Sequence, residues 1–208
     1  MKHKKHNSLY ITCVEFYQSI RNSGTLGGFS LVELSVSVFI FTLVTGIVLA
    51  NFPSFSSKIA LENLAHEIAL AVRQAQVFGI ASREFGAGSG IFPGHGVRFE
   101  RALDTTFLLY ADTDKNKKYT GISELLETFI IRGGNRVSAV CGFLTPASPC
   151  TSLDILDIVF VRPDPEPTLT GKVENAEAAY SYATITIESA RGGTQKVVVW
   201  SNGQIAIQ

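Results

Sequence analysis

The chain has 208 residues, 18 Lys and Arg against 18 Asp and Glu, 46% hydrophobic and 17% charged. That is one domain plus an appended apolar segment, too apolar for a disordered chain. Three cysteines are too few for a disulfide scaffold, and the histidines at His3, His6, His66 and His95 are too dispersed for a histidine-rich metal site.

Formal neutrality hides an asymmetry. Residues 1–28 hold Lys2, Lys4, Lys5 and Arg21 against Glu15, which leaves 14 basic and 17 acidic residues beyond them, about −3. A net negative remainder argues against nucleic acid as a partner. From Phe29 to Phe52 the only charge is Glu33, and 24 residues at 1.5 Å each span a bilayer core as a helix. A secretory signal is the weaker reading, because the run is long, starts late and passes through Ala50, Asn51 and Pro53 into further helical sequence. The basic leader places the N-terminus on the cytoplasmic side and the C-terminal domain outside. Glu33 is costly in lipid unless it is hydrated at the interface or paired.

Pro53 and the polar stretch Ser54–Ser57 predict a bend at the membrane surface. Over 53–79 an amphipathic helix follows: Leu61, Leu64, Ile68, Ala71, Val72, Ala75 and Phe78 recur at helical spacing, with Glu62, Glu67, Arg73, Gln74 and Gln76 on the other face. This stripe is core packing against a sheet and implies no cofactor. The glycines of Gly86-Ala87-Gly88-Ser89-Gly90 close a helix and precede a strand, the reverse of a phosphate loop, and read as a flexible connection.

Residues 80–208 read as a β-rich domain. Strand patterns cover 95–100, 105–111, 127–132, 153–161, 183–188, 196–200 and 204–207. Arg191-Gly192-Gly193 and Ser201-Asn202-Gly203 suit antiparallel hairpin turns. The expected fold class is α+β, a long N-terminal helix packed on a C-terminal antiparallel sheet domain.

Asp112, Asp114 and Asn116 have the oxygen spacing of a calcium loop, but its sixth position is Lys117 instead of glycine, its twelfth is Ser123, and Glu124 comes one place late. The incomplete pattern favours a polar hairpin loop over calcium. Cys141 and Cys150 are an even pair in the outer domain, apart from Cys13 in residues 1–28. On the outer side of a membrane a disulfide is favoured over free thiols or half a zinc site. The acidic, proline-rich stretch from Asp154 and Asp157 through Pro163, Pro165 and Pro167 reads as a rigid surface loop. His66 and His95 lie in no nucleophile motif and read as solvated, so no catalytic constellation is expected.

Gly27-Gly28-Phe29-Ser30-Leu31-Val32-Glu33-Leu34 resembles the cleavage and methylation signature of type IV prepilins. The resemblance implies a 28-residue leader cut by a prepilin peptidase between Gly28 and Phe29, N-methylation of Phe29, and a Glu33 carboxylate that neutralises the new amine of a neighbouring subunit during assembly. The order of leader, long helix and antiparallel sheet is similar to type IV pilins and pseudopilins. The tail from Thr184 to Ile205 looks like the H-type minor pseudopilin group. The partners it implies are the peptidase, sister pilins, and an assembly platform with its ATPase. The implied location is the cytoplasmic membrane, then a periplasmic or extracellular filament. The implied function is that of a minor pilin or pseudopilin, a structural subunit of a type IV pilus-like or type II secretion-like filament. The alternatives are a tip pilin that binds a surface or DNA and, behind it, a membrane-anchored enzyme.

Overall fold

The computed structural model describes residues 28–81, 83–86 and 88–208. The leader, with Cys13 and the basic cluster, lies outside the described residues.

Among the described residues, one long α-helix, α1 (Leu31–Ile80), is followed by eleven strands. These are β1 (Gly94–Glu100), β2 (Thr106–Asp112), β3 (Leu125–Ile130), β4 (Arg136–Phe143), β5 (Thr151–Ser152), β6 (Ile155–Phe160), β7 (Pro167–Val173), β8 (Ala176–Ala179), β9 (Tyr182–Glu188), β10 (Thr194–Trp200) and β11 (Ile205–Ile207). They form a six-stranded sheet in the order β3-β2-β1-β6-β7-β8 and a five-stranded sheet in the order β11-β10-β9-β4-β5, both antiparallel throughout. The α+β class expected from the sequence is the observed one.

The chain divides into two units at Ala50 and Asn51. In the first, the helix from Leu31 to Ala50 is exposed along nearly all of its apolar surface, and α1 is long and apolar enough to cross a membrane. Two of its hydroxyls are satisfied within the helix: Ser35 donates to the Leu31 carbonyl at 2.8 Å and Thr42 to the Val38 carbonyl at 2.8 Å.

The expected bend at Pro53 is not present as a break, because α1 runs unbroken through it. A proline inside a helix removes one backbone donor and costs about 3 kcal/mol. The uninterrupted helical patterns on both sides outweigh that single loss.

In the second unit, Leu61, Leu64, Ala65, Ile68, Ala71, Val72 and Ala75 are all at most 5% exposed and join one core with both sheets. The sheets contribute alternate residues, such as Val97 and Phe99 on β1, Leu156, Ile158 and Phe160 on β6, and Ala183, Ile185 and Ile187 on β9. Close approach at the end of the helix requires Gly79, where a Cβ would lie 2.5 Å from the Phe160 carbonyl oxygen.

The Arg191-Gly192-Gly193 turn joins β9 to β10 and Ser201-Asn202-Gly203 joins β10 to β11, as their sequences suggest. Four strands lack an obvious sequence signal. β4 carries a bulge between Val137 and Ala139 that breaks the two-residue alternation. β7 opens on Pro167, at the end of the stretch read as a loop, and its hairpin partner β8 is mostly alanine. β5 has two residues.

Candidate functional site

The start of α1 is built by Ser30. Its Oγ accepts a hydrogen bond from the Glu33 amide at 3.1 Å, satisfying one of the orphan donors of the first turn. Gly28 and Phe29 precede this cap in non-helical backbone. Phe29 is 75% exposed and nothing lies within 4 Å of a Cβ placed on Gly28. Among the described residues, the Gly28–Phe29 peptide bond is therefore uncovered and lies outside the helix. Glu33 is exposed in the first turn, where the helix dipole favours a carboxylate.

The loop from β2 to β3 brings Asp112, Asp114 and Glu124 together, with one oxygen of each within 4.8 Å of the others. Glu124 stands one place late for the calcium pattern, yet a short 3₁₀ turn at Ile122–Glu124 delivers it. It is 1% exposed and accepts from the Thr113 amide (3.0 Å) and hydroxyl (3.1 Å) and from the Thr120 amide and hydroxyl (both 2.8 Å). Asp112 accepts from the Asn116 amide at 2.9 Å and the Lys117 amide at 3.0 Å. Burial pushes the Asp112 carboxyl up, the two amides oppose that, and Asp114 nearby adds to it.

Lys117 takes the left-handed conformation, φ 64°, at the place where a calcium loop has glycine. Asp112, Asp114 and Glu124 are the residues that could hold a cation, by their hard oxygen ligands. The chain's own donors occupy those oxygens, and Asn116 spends its side-chain amide on Asp114 at 2.8 Å. The loop joins β2 to its antiparallel neighbour β3, as the hairpin expected from the sequence.

Two expectations are corrected beside this loop. Asp157 does not belong to a surface loop: it lies on β6, 4% exposed, because the strand alternation turns it toward Tyr110 and Arg98. Tyr110 donates its hydroxyl to Asp157 at 3.0 Å, and the Arg98 guanidinium lies 3.5 Å from it while donating to the Tyr119 carbonyl at 2.8 Å. Desolvation raises the Asp157 carboxyl to about 6 against the pull of Arg98.

His95 is likewise not solvated. It is 1% exposed on β1, edge-to-face with Phe78 at 5.6 Å. Burial and then the charge of Arg83 lower it to about 4, so it is neutral at physiological pH. His66 is exposed, as expected.

Cys141 on β4 and Cys150 are joined by a disulfide, with Cα atoms 5.4 Å apart. It closes the loop holding Pro146 and Pro149 and borders the outer face of the five-stranded sheet. There Phe143, Tyr182 and Trp200 stand side by side on β4, β9 and β10. That row was not legible as a site, since its members come from three distant stretches of the chain. Comparison with known proteins finds no matching family model, no similar curated protein and no similar solved structure.

Proposed function

We propose that the chain is a non-enzymatic structural subunit, a minor pilin or pseudopilin, of a type IV pilus-like or type II secretion-like filament. It would be processed at Gly28–Phe29 by a prepilin peptidase, N-methylated on Phe29, and handled by an assembly platform and its ATPase.

The observation that carries this reading is a second apolar stripe on α1. Phe52, Phe55, Ile59, Leu70, Val77 and Ile80 are all exposed, between 41% and 68%. At 100° per residue they fall on the side of the helix opposite Leu61, Leu64, Ile68, Val72 and Ala75. Phe52 and Ile59, and Leu70 and Val77, are seven apart, the spacing of a helix–helix seam.

Lipid does not account for the far half of this stripe. Leu70 to Ile80 lie roughly 27–42 Å along the helix beyond Phe52, at 1.5 Å per residue. A helix with a sheet on one side and the helix of a neighbouring subunit on the other satisfies both stripes. Within that arrangement the Glu33 carboxylate has a partner in the processed amine of a neighbour, which offsets the cost of holding it in lipid.

The test is expression with and without an active prepilin peptidase, read by intact mass and N-terminal sequencing. A chain beginning at methylated Phe29 is expected. An intact leader in the presence of the peptidase, or a start after Ala50, would sink the reading. Glu33→Ala should insert as well as the parent and crosslink less to sister subunits.

A further inference from the structure

The outer face of the five-stranded sheet carries a trough with no assigned role. Register places Phe143, Tyr182 and Trp200 in one row across β4, β9 and β10, and Cys141, Thr184 and Val198 in the next row along the same face. A third row holds Thr186 and Lys196, with Gln208 hydrogen-bonded to Lys196 through the backbone. The floor row is short and the aromatic row is tall. The depression between them encloses about 480 Å³, within the range of small-ligand sites. The Cys141–Cys150 disulfide and Pro146 fix one end.

The ring geometry restricts what the trough can take. Phe143 and Tyr182 are parallel to within 3° at 4.3 Å between centroids, and Trp200 follows at 6.4 Å and 27°. Phe143 and Tyr182, stacked along the cross-strand direction, spend a face each on one another. Their edges, the positive end of the aromatic quadrupole, therefore turn along the strands toward the floor row. A base that must stack between ring faces finds little room here, which disfavours single-stranded nucleic acid.

Opposite the ring edges stand the exposed ammonium of Lys196, without an ion-pair partner among the described residues, and the Thr186 hydroxyl. Among the described residues no Asp or Glu side chain lines the trough. Positive ring edges on one side, a free ammonium on the other and neutral hydroxyls in between suit a ligand rich in hydroxyls that also carries a carboxylate. Three strands at about 4.8 Å spacing give the trough a length of roughly 10 Å, close to two sugar rings.

We propose that the trough bounded by Trp200, Tyr182 and Lys196 binds an acidic oligosaccharide, with the uronate carboxylate on Lys196 and the sugar hydroxyls on Thr184 and Thr186. The site does not depend on the filament reading, because it is formed entirely within the β-rich unit.

Trp200 is the only tryptophan in the chain, so its emission reports the site directly. The full chain, held in a detergent without a sugar headgroup, is titrated with tetragalacturonate and, separately, with a neutral galactose tetramer, by fluorescence and by calorimetry together. A saturable response to the acidic tetramer, absent with the neutral one and weakened about tenfold by Lys196→Met, is expected for the loss of one charge-assisted contact. Lys196 is exposed, so that variant retains the fold. No heat and no emission change with the acidic tetramer at about 10 mM, an equal response to the neutral tetramer, or unchanged affinity in Lys196→Met would each overturn the proposal.

Discussion

The opposed burial of His95 and Asp157 gives the fold two pH-dependent contributions of opposite sign between pH 6.5 and 4. His95 falls from its ordinary 6.5 to about 4 because the fold disfavours its charged form. Below pH 6.5 the unfolded chain takes a proton that the folded chain refuses, so stability is lost as pH drops toward 4. Asp157 has the reverse sign. It rises from its ordinary 3.8 to about 6, so the folded chain binds a proton before the unfolded one and stability is gained as pH falls from 6 toward 4. At 1.36 kcal/mol per pH unit of displacement, each group contributes about 3 kcal/mol. The two nearly cancel between pH 4 and 6.

Single substitutions separate them. Asp157→Asn keeps an acceptor for the Tyr110 hydroxyl and removes the gain, so stability should fall by about 3 kcal/mol between pH 6.5 and 4. His95→Leu, close in volume, should leave a protein that becomes more stable by a similar amount over the same interval. Asp112, raised by burial, acts in the sense of Asp157 and is common to both variants, so it drops out of their difference. The assay is urea unfolding of the full chain in detergent at four pH values, followed by Trp200 emission. Variants whose stability changes with pH in parallel with the parent would refute the reasoning.

Three further outcomes are expected. Glu124→Ala leaves the Thr113 and Thr120 amides and hydroxyls without their acceptor and should cost about 2–4 kcal/mol. Amide exchange should rise at those two threonines while β6 stays protected, and unchanged exchange there would contradict the assigned bonds. Replacing Cys141 and Cys150 by serine should cost about 2–3 kcal/mol by loop entropy, with the near-ultraviolet dichroism of the core retained; loss of the fold would mean that the disulfide does more than close its loop. Gly142→Ala places a Cβ 2.6–2.7 Å from carbons of the Tyr180 ring, an overpacking worth about 1–3 kcal/mol in thermal or urea unfolding. A neutral effect would show that Tyr180 can move aside.

The features legible in the sequence are those carried by local periodicity. The stripe from Leu61 to Ala75 repeats without interruption, and the observed core uses it as written. The glycine turns after β9 and β10 are equally local. Where the physics is non-local, the sequence misleads. Val137 and Val140 are three apart, a spacing that resembles neither strand nor turn until the bulge in β4 is known. Glu124 misses the calcium template by one place, and a 3₁₀ turn removes that difference. Asp157 lies a few residues before a run of prolines and acids, and only the pairing of β6 with β1 sets it beside Arg98 and within reach of Tyr110. His95 follows a glycine-rich stretch that suggests solvent, whereas β1 places it against Phe78. The outward stripe of Phe52, Ile59, Leu70 and Val77 is visible in the sequence but masked by the polar residues between, which leave that face reading as solvated.

The seat of α1 on the sheets also decides how the protein bears load. The apolar seam from Leu61 to Ala75 runs lengthwise along the helix. Near its end, Gln76 donates to the Pro165 carbonyl at 3.0 Å and accepts from Arg73 at 2.7 Å, so the helix is caught on the loop before β7. A pull along the helix axis therefore meets the seam in shear, where every buried side chain must slide together before any is released. A sideways pull on the helix would instead peel the same contacts apart one turn at a time. Within the β-rich unit, the seam from Leu61 to Ala75 and the Gln76 contact therefore resist sliding of the helix together and peeling of it singly.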